Sequence, residues 1–231
     1  MTGLENRVYY LHTTVMTIQT PIPDFAAARE AMVDSQLRPQ GVTDERVLRA
    51  MGSIQRENFL PRHTQPLAYV DRALSMSPGR FLPAPAVLGR LLTELAAEPG
   101  QRALIVGAGT GYSAAVLADL GLQVAALESD TELAARAREL GIDVVEGPLD
   151  AGWKKAAPYD RILIDGAVEH IPEAIIKQLA DGGRLGAAVL DRGVTRLVLG
   201  RSVGGAFGYF SIGDAGVPAL PGFTRPRAFT F

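Results

Sequence analysis

The chain has 231 residues, 47% hydrophobic and 21% charged, enough to bury one ordinary core and with the balance of a soluble globular protein. A formal net charge of -2 leaves no basic surplus for a nucleic-acid backbone, and no apolar run reaches the roughly 20 residues that cross a bilayer. Cysteine is absent, which excludes disulfides, thiolate metal sites and cysteine nucleophiles and leads us to expect a cytoplasmic protein.

The apolar patch Val8, Tyr9, Tyr10 and Leu11 follows Glu5 and Arg7 without a long apolar continuation, so it is not a signal peptide. Met16 opens the proline-punctuated TIQTPIPD, which points to a natural translation start there and to a disordered extension over residues 1–20. Residues 21–98 are expected to form a helical cap with a substrate-side loop. Asp24 can cap a helix to about Gln36, with apolar positions Ala26, Ala27, Met32, Val33 and Leu37, ended by Pro39 and Gly41. Asp44 caps a second helix carrying Val47, Leu48 and Met51. A third, roughly Pro85 to Ala96, lies in an irregular stretch with six prolines between Pro61 and Pro99.

Over residues 99–231 short aliphatic runs alternate with helical segments, the pattern of βαβ units on a parallel sheet. Strands are predicted at RALIVG, LQVAALE, IDVVEG, DRILID and RLGAAVL, alternating with helices, three of which follow Tyr112, Asp130 and Pro172. TRLVLGRS, AFGYFSIG and RAFTF predict antiparallel strands added to one edge. The expected fold class is α/β and Rossmann-like.

VGAGTGYS, residues 106–113, stands where a strand ends and a helix begins, so backbone N–H groups and the helix N-terminus face one ligand position. Gly107, Gly109 and Gly111 permit a tight turn and let a ligand lie against bare backbone. On its own such a pattern equally describes a glycine turn between packed elements. Glu128, seventeen residues beyond Gly111 at the end of the next strand, tips the reading, because its carboxylate can accept from both hydroxyls of a ribose. The spacing G-x-G-x-G departs from the G-x-G-x-x-G of dinucleotide sites, so S-adenosylmethionine (SAM) is the expected cofactor rather than NAD.

Other chemistry-bearing residues are sparse. Asp165, at the end of the fourth predicted strand, lies where open α/β sheets bind ligands and is a candidate for the reaction centre or, equally, a capping aspartate. His12, His63 and His170 are too scattered for a metal set. Trp153 and Tyr159 read as packing aromatics ahead of an adenine platform, and Lys154 with Lys155 as a solvated loop.

MVDSQLRPQGVTDERVLRAMGSIQRENFLP, followed by AYVDRAL, resembles the N-terminal part of the protein-L-isoaspartate O-methyltransferase family. GAGTGYSAAVLADL, APYDRILIDGAVEHIP and QLADGGRL continue the resemblance in order, from roughly Ala31 to Leu190. It implies a seven-stranded, mostly parallel methyltransferase sheet with helices on both faces. The implied activity is SAM-dependent methylation of a carboxylate on a damaged protein or peptide. The resemblance carries the cofactor site onto Gly107, Ala108, Gly109, Thr110, Gly111, Tyr112, Glu128, Ser129, Pro148 and Leu149, and the substrate loop onto Leu82, Pro83 and Ala84.

Departures from the family accompany the matches. Where the family has GQTISQP this chain has GRFLPAP, so Pro83 replaces a serine whose hydroxyl helps to arrange the acceptor. Ile105 replaces an acidic residue that faces the cofactor, and Pro148 an aspartate that meets the adenine amino group, with Asp150 a candidate substitute. Methyl transfer asks little of side chains, since a carboxylate of pKa near 4 is ionised at neutral pH and positioning alone is worth about 7 to 11 kcal/mol. The departures predict weak isoaspartyl methylation and leave two alternatives: an enzyme retargeted to a small molecule, and a non-catalytic SAM-binding protein.

Overall fold

The computed structural model describes residues 24–225. The expected disordered extension, the start at Met16 and the strand at RAFTF fall outside them, apart from the sequence itself. Asp24 accepts the Ala27 N–H at 3.0 Å and opens α1 (Phe25–Met32). The helix then widens into one π turn, Val33–Leu37, which buries Leu37. Asp44 caps α2 (Glu45–Ser53), whose Val47, Leu48 and Met51 are buried as the spacing predicts. In α3 (Pro85–Leu95) proline stands in the first turn, where its missing N–H costs nothing, and Asp71 accepts the Ala86 N–H at 3.0 Å.

Within the proline-rich stretch, expected to be irregular, the structure adds a hairpin. Strands β1 (Leu74–Ser77) and β2 (Arg80–Leu82) pair antiparallel, with Ser77 opposite Arg80. Pro78 and Gly79 make the two-residue turn, Gly79 in the left-handed region at φ 74° that a proline–glycine pair supports. This hairpin projects Met76 and Arg80 toward the end of the main sheet.

That sheet has seven strands: β3 (Arg102–Val106), β4 (Gln123–Glu128), β5 (Val144–Glu146), β6 (Tyr159–Val168), β7 (Leu179–Asp191), β8 (Val194–Val203) and β9 (Ala206–Asp214), in the order β5-β4-β3-β6-β7-β8-β9. The first five run parallel and the last two antiparallel, as expected of the tail. Ala103 and Ile105 enter one core and Leu104 and Val106 the other, the two-sided burial that makes parallel strands continuously apolar. The first core takes residues of α2, α3, α4 (Tyr112–Asp119) and α5 (Thr131–Glu139). The second is closed by the one-turn α6 (Glu173–Ile176), by Leu149, and by Leu220 and Phe223 of the C-terminal segment.

The alternation of strand and helix fails between β5 and β6. Two 3-10 turns, Leu149–Ala151 and Lys154–Ala156, replace the expected helix, separated by Gly152 at φ 62°, a conformation no helix interior admits. Among the described residues no helix is long and apolar enough to cross a membrane.

Candidate active site

The candidate site lies at the carboxyl ends of β3, β4 and β6, where the chain leaves β3 on one side to build β4 and β5 and returns on the other as β6. Open sheets bind ligands at this switch point. Gly107 and Ala108 donate backbone N–H bonds to Leu127 O at 2.9 and 3.0 Å, fastening the glycine turn to β4. Gly111, at φ 95°, starts α4; a Cβ there would lie 2.7 Å from Ile142 Cγ1.

Glu128 ends β4 fully buried. Its Oε2 accepts the Gly109 N–H at 2.6 Å, and its Oε1 accepts those of Ser129 at 2.7 Å and Asp130 at 2.9 Å. The sequence reading missed its remaining partner: Arg80 of β2 closes a two-point ion pair, with one nitrogen on Oε1 and Nη2 2.6 Å from Oε2. Ser77 adds a second tie from the hairpin, donating to Asp130 Oδ2 at 3.1 Å.

Asp165 sits beside this pair, buried, and accepts the Ser113 hydroxyl from the first turn of α4 at 2.5 Å. Burial pushes its carboxyl up to about 6, against the opposing pull of the Ser113 bond and the charges of Arg80 and Arg56. Beneath the loop the fully buried Arg56 donates Nε–H to Ala68 O at 2.8 Å and Nη2–H to Pro83 O. Its guanidinium lies 4.9 Å from the centroid of the Tyr112 ring, and among the described residues no carboxylate is salt-bridged to it.

The expected site residues separate into two groups. Pro83 and Asp165 line one cleft. Arg80 of the same cleft joins it to Glu128, and through Glu128 to the Gly109 N–H of the glycine turn with Ala108. Thr110 anchors the turn by donating to Phe59 O at 2.6 Å. Tyr112 does not join the cleft: as the first residue of α4 it packs edge-on to Phe59 at 5.4 Å and under Arg56. Leu149 is consumed by the second core, while Pro148, Ser129 and Asp150 are exposed. Ile105 is buried in the first core and offers no polar contact, and Leu82 and Ala84 are buried on either side of Pro83. Tyr159 donates its hydroxyl to Trp153 O at 2.6 Å within the second core, which supports the packing reading of both aromatics.

A nucleoside cofactor needs bare backbone under its sugar and a carboxylate for its hydroxyls, and the glycine turn with Glu128 offers both in the right register. The room is taken by the protein. A Cβ on Gly109 would strike Met76, and one on Gly107 would lie 2.9 Å from both methyls of Leu220, so these side chains cover the surface that the glycines leave bare. The cavity left between Arg80, Pro83, Asp165, Gly166 and Leu220 measures about 10 Å³, on the order of one water.

Comparison with known proteins accounts for this combination of sheet order and cleft. The family described as protein-L-isoaspartate(D-aspartate) O-methyltransferase (PCMT) matches residues 27–199. A protein-L-isoaspartate O-methyltransferase of Methylorubrum extorquens is 44% identical over 178 residues, 74% of this chain and 78% of its own. One from Koribacter versatilis is 41% identical over 177 residues, 74% of this chain and 80% of its own. Among solved structures, a protein-L-isoaspartate O-methyltransferase superposes with a TM-score of 0.74 at 23% identity, covering 84% of this chain and 67% of its own. A Plasmodium falciparum structure described as a PCMT in complex with S-adenosyl-L-homocysteine has a TM-score of 0.69 at 20% identity, covering 84% of this chain and 98% of its own. The glycine turn, the Glu128 carboxylate and the seven-stranded sheet thus belong to a chain that is a member of the protein-L-isoaspartate(D-aspartate) O-methyltransferase family.

Proposed function

We propose that this SAM-dependent O-methyltransferase binds its cofactor between the glycine turn Gly107–Gly111 and Glu128, and takes the acceptor carboxylate of an isoaspartyl-containing peptide or protein on the side of Pro83 and Asp165. The observation that carries the reading is the pairing of that turn with a buried carboxylate at the switch point of a chain matching the family over residues 27–199. The S-adenosyl-L-homocysteine in the Plasmodium falciparum neighbour supports the cofactor assignment.

The bound cofactor supplies an activated methyl group, and an ionised carboxylate needs no base, so the work left to this chain is orientation and exclusion of water. Arg56 contributes by fixing the Pro83 carbonyl, and with it the loop that borders the acceptor. Asp165, raised to about 6, presents little extra negative charge to an incoming carboxylate at mildly acid pH and more at neutrality. Residues 24–98 form the acceptor-side cap in this reading, and the cysteine-free sequence accords with a cytoplasmic place of action.

The test is transfer of labelled methyl from SAM to an isoaspartyl peptide, with the matching aspartyl peptide and a panel of small carboxylic acids alongside. Transfer confined to the isoaspartyl peptide supports the assignment. Transfer only to a small acid overturns the acceptor and keeps the cofactor.

A further inference from the structure

Two side chains far apart in the sequence, Arg80 and Leu220, meet in the cleft, and each stands on one half of the surface prepared for the cofactor. Arg80 offers two side-by-side N–H groups to the two oxygens of Glu128, the same number of donors that the paired hydroxyls of a ribose would bring. Glu128 is fully buried and three backbone N–H groups already hold it, so Arg80 takes the approach to the carboxylate that a ribose would need, and the two compete for it.

Leu220 lies over the other half. It presses on Gly107 and on Gly166, where an added Cβ would lie 2.9 Å from Leu220 Cβ. The segment that carries it is tied to β6 by two backbone bonds, Ala167 N–H to Pro218 O at 2.9 Å and Leu220 N–H to Ala167 O at 2.7 Å. Pro218, Pro221 and Gly222 keep the pairing from spreading, while the buried Phe223 anchors the far end in the second core. The segment is thus anchored in the second core at Phe223 and fastened at the cleft by two backbone bonds and the Leu220 side chain.

We propose that the protein closes its own cofactor site, with Arg80 and Leu220 acting as an internal occupant that SAM must displace. The proposal rests on the SAM reading given above. Binding requires Arg80 to leave Glu128 and Leu220 to lift from Gly107, with Phe223 as the fixed point. Affinity is then set by how often the cleft opens: an open form populated at about 1 to 10% weakens apparent binding about 10- to 100-fold. Any contact that loosens the segment carrying Leu220 raises affinity without touching the cofactor.

Hydrogen exchange of the wild-type protein reads this directly. With SAM added, amides of residues 217–220 and 79–82 should exchange faster while those of 107–111 slow down. A ligand that merely settled onto a preformed site would slow all three, and slowed or unchanged exchange at 217–220 with SAM bound overturns the closure. Calorimetric titration of SAM into Leu220→Ala and Arg80→Met gives an independent measure, with binding about 10- to 100-fold tighter than wild type expected. If wild type binds SAM and both variants bind equally or more weakly, the closure falls and the cofactor reading stands. If neither wild type nor either variant binds, both fall together.

Discussion

Ser113 donates its hydroxyl to Asp165 at 2.5 Å, joining the first turn of α4 to β6 inside the cleft. The bond stabilises the ionised carboxylate, yet burial outweighs it and leaves Asp165 titrating at about 6, above its ordinary 3.8. Between those two pH values the folded chain keeps a proton that the unfolded chain has released. The raised group therefore contributes stability that is full below about pH 4 and lost as pH rises through 6, on the order of 3 kcal/mol for two units.

Asp165→Asn preserves the acceptor for Ser113 and removes the titration. Relative to wild type, the variant should gain about 2 to 3 kcal/mol between pH 4 and pH 7. Urea unfolding of both proteins at the two pH values checks it; a constant difference would mean that Asp165 does not titrate in this range.

The Arg80–Glu128 pair makes a second stability prediction. Both groups are buried, so Glu128→Ala leaves a guanidinium without its counter-charge and should cost about 3 to 5 kcal/mol. Replacing both at once, Arg80→Met with Glu128→Gln, should recover most of that loss, because the double variant buries no unpaired charge. A double variant less stable than Glu128→Ala would show that the pair is not the source of the cost.

Gly111 allows backbone conformation to be separated from crowding. Gly111 and Gly100 share a left-handed backbone, at φ 95° and 84°, but a Cβ on Gly100 meets nothing within 4 Å whereas one on Gly111 meets Ile142 at 2.7 Å. Gly100→Ala should cost about 1 to 2 kcal/mol from the backbone alone. Gly111→Ala should cost clearly more, as a lower denaturation midpoint. Equal losses would mean that Ile142 yields freely.

What could be read from sequence was what neighbouring residues settle among themselves. The glycine turn, the caps at Asp24, Asp44 and Asp130, and Glu128 seventeen residues on were legible because strand, turn and helix follow one another there. Arg80 was not, since its partner is 48 residues away and a lone arginine in a proline-rich stretch reads as solvated. The turn Pro78–Gly79 was a signal in plain view, and it would have placed the hairpin that carries Arg80 inward. Leu220 sits among prolines and glycines that spell a surface loop, and only the tertiary fold puts it on Gly107. The direction of the Tyr112 ring was not legible either, because the first turn of α4 sends it into the cap against Phe59.

Pro83 bears on turnover, and here the packing argues against the simplest repair. Its carbonyl is held by Arg56, and α3 begins two residues later with its Ala86 N–H bound to Asp71 at 3.0 Å, so the backbone is fixed on both sides of position 83. Pro83→Ser would restore a hydroxyl at the cleft wall without moving that wall. The space it faces is about 10 Å³ while Leu220 is in place, too small for a carboxylate beside a cofactor. Pro83→Ser alone should therefore leave kcat/KM for an isoaspartyl peptide within about twofold of wild type, a change of under 0.5 kcal/mol in transition-state stabilisation. Combined with Leu220→Ala, the serine should raise kcat/KM more than Leu220→Ala does by itself. The four proteins form a double-mutant cycle, and the coupling between positions 83 and 220 is the quantity measured. A large gain from Pro83→Ser on the wild-type background would show that the missing hydroxyl, not the closed cleft, limits this enzyme.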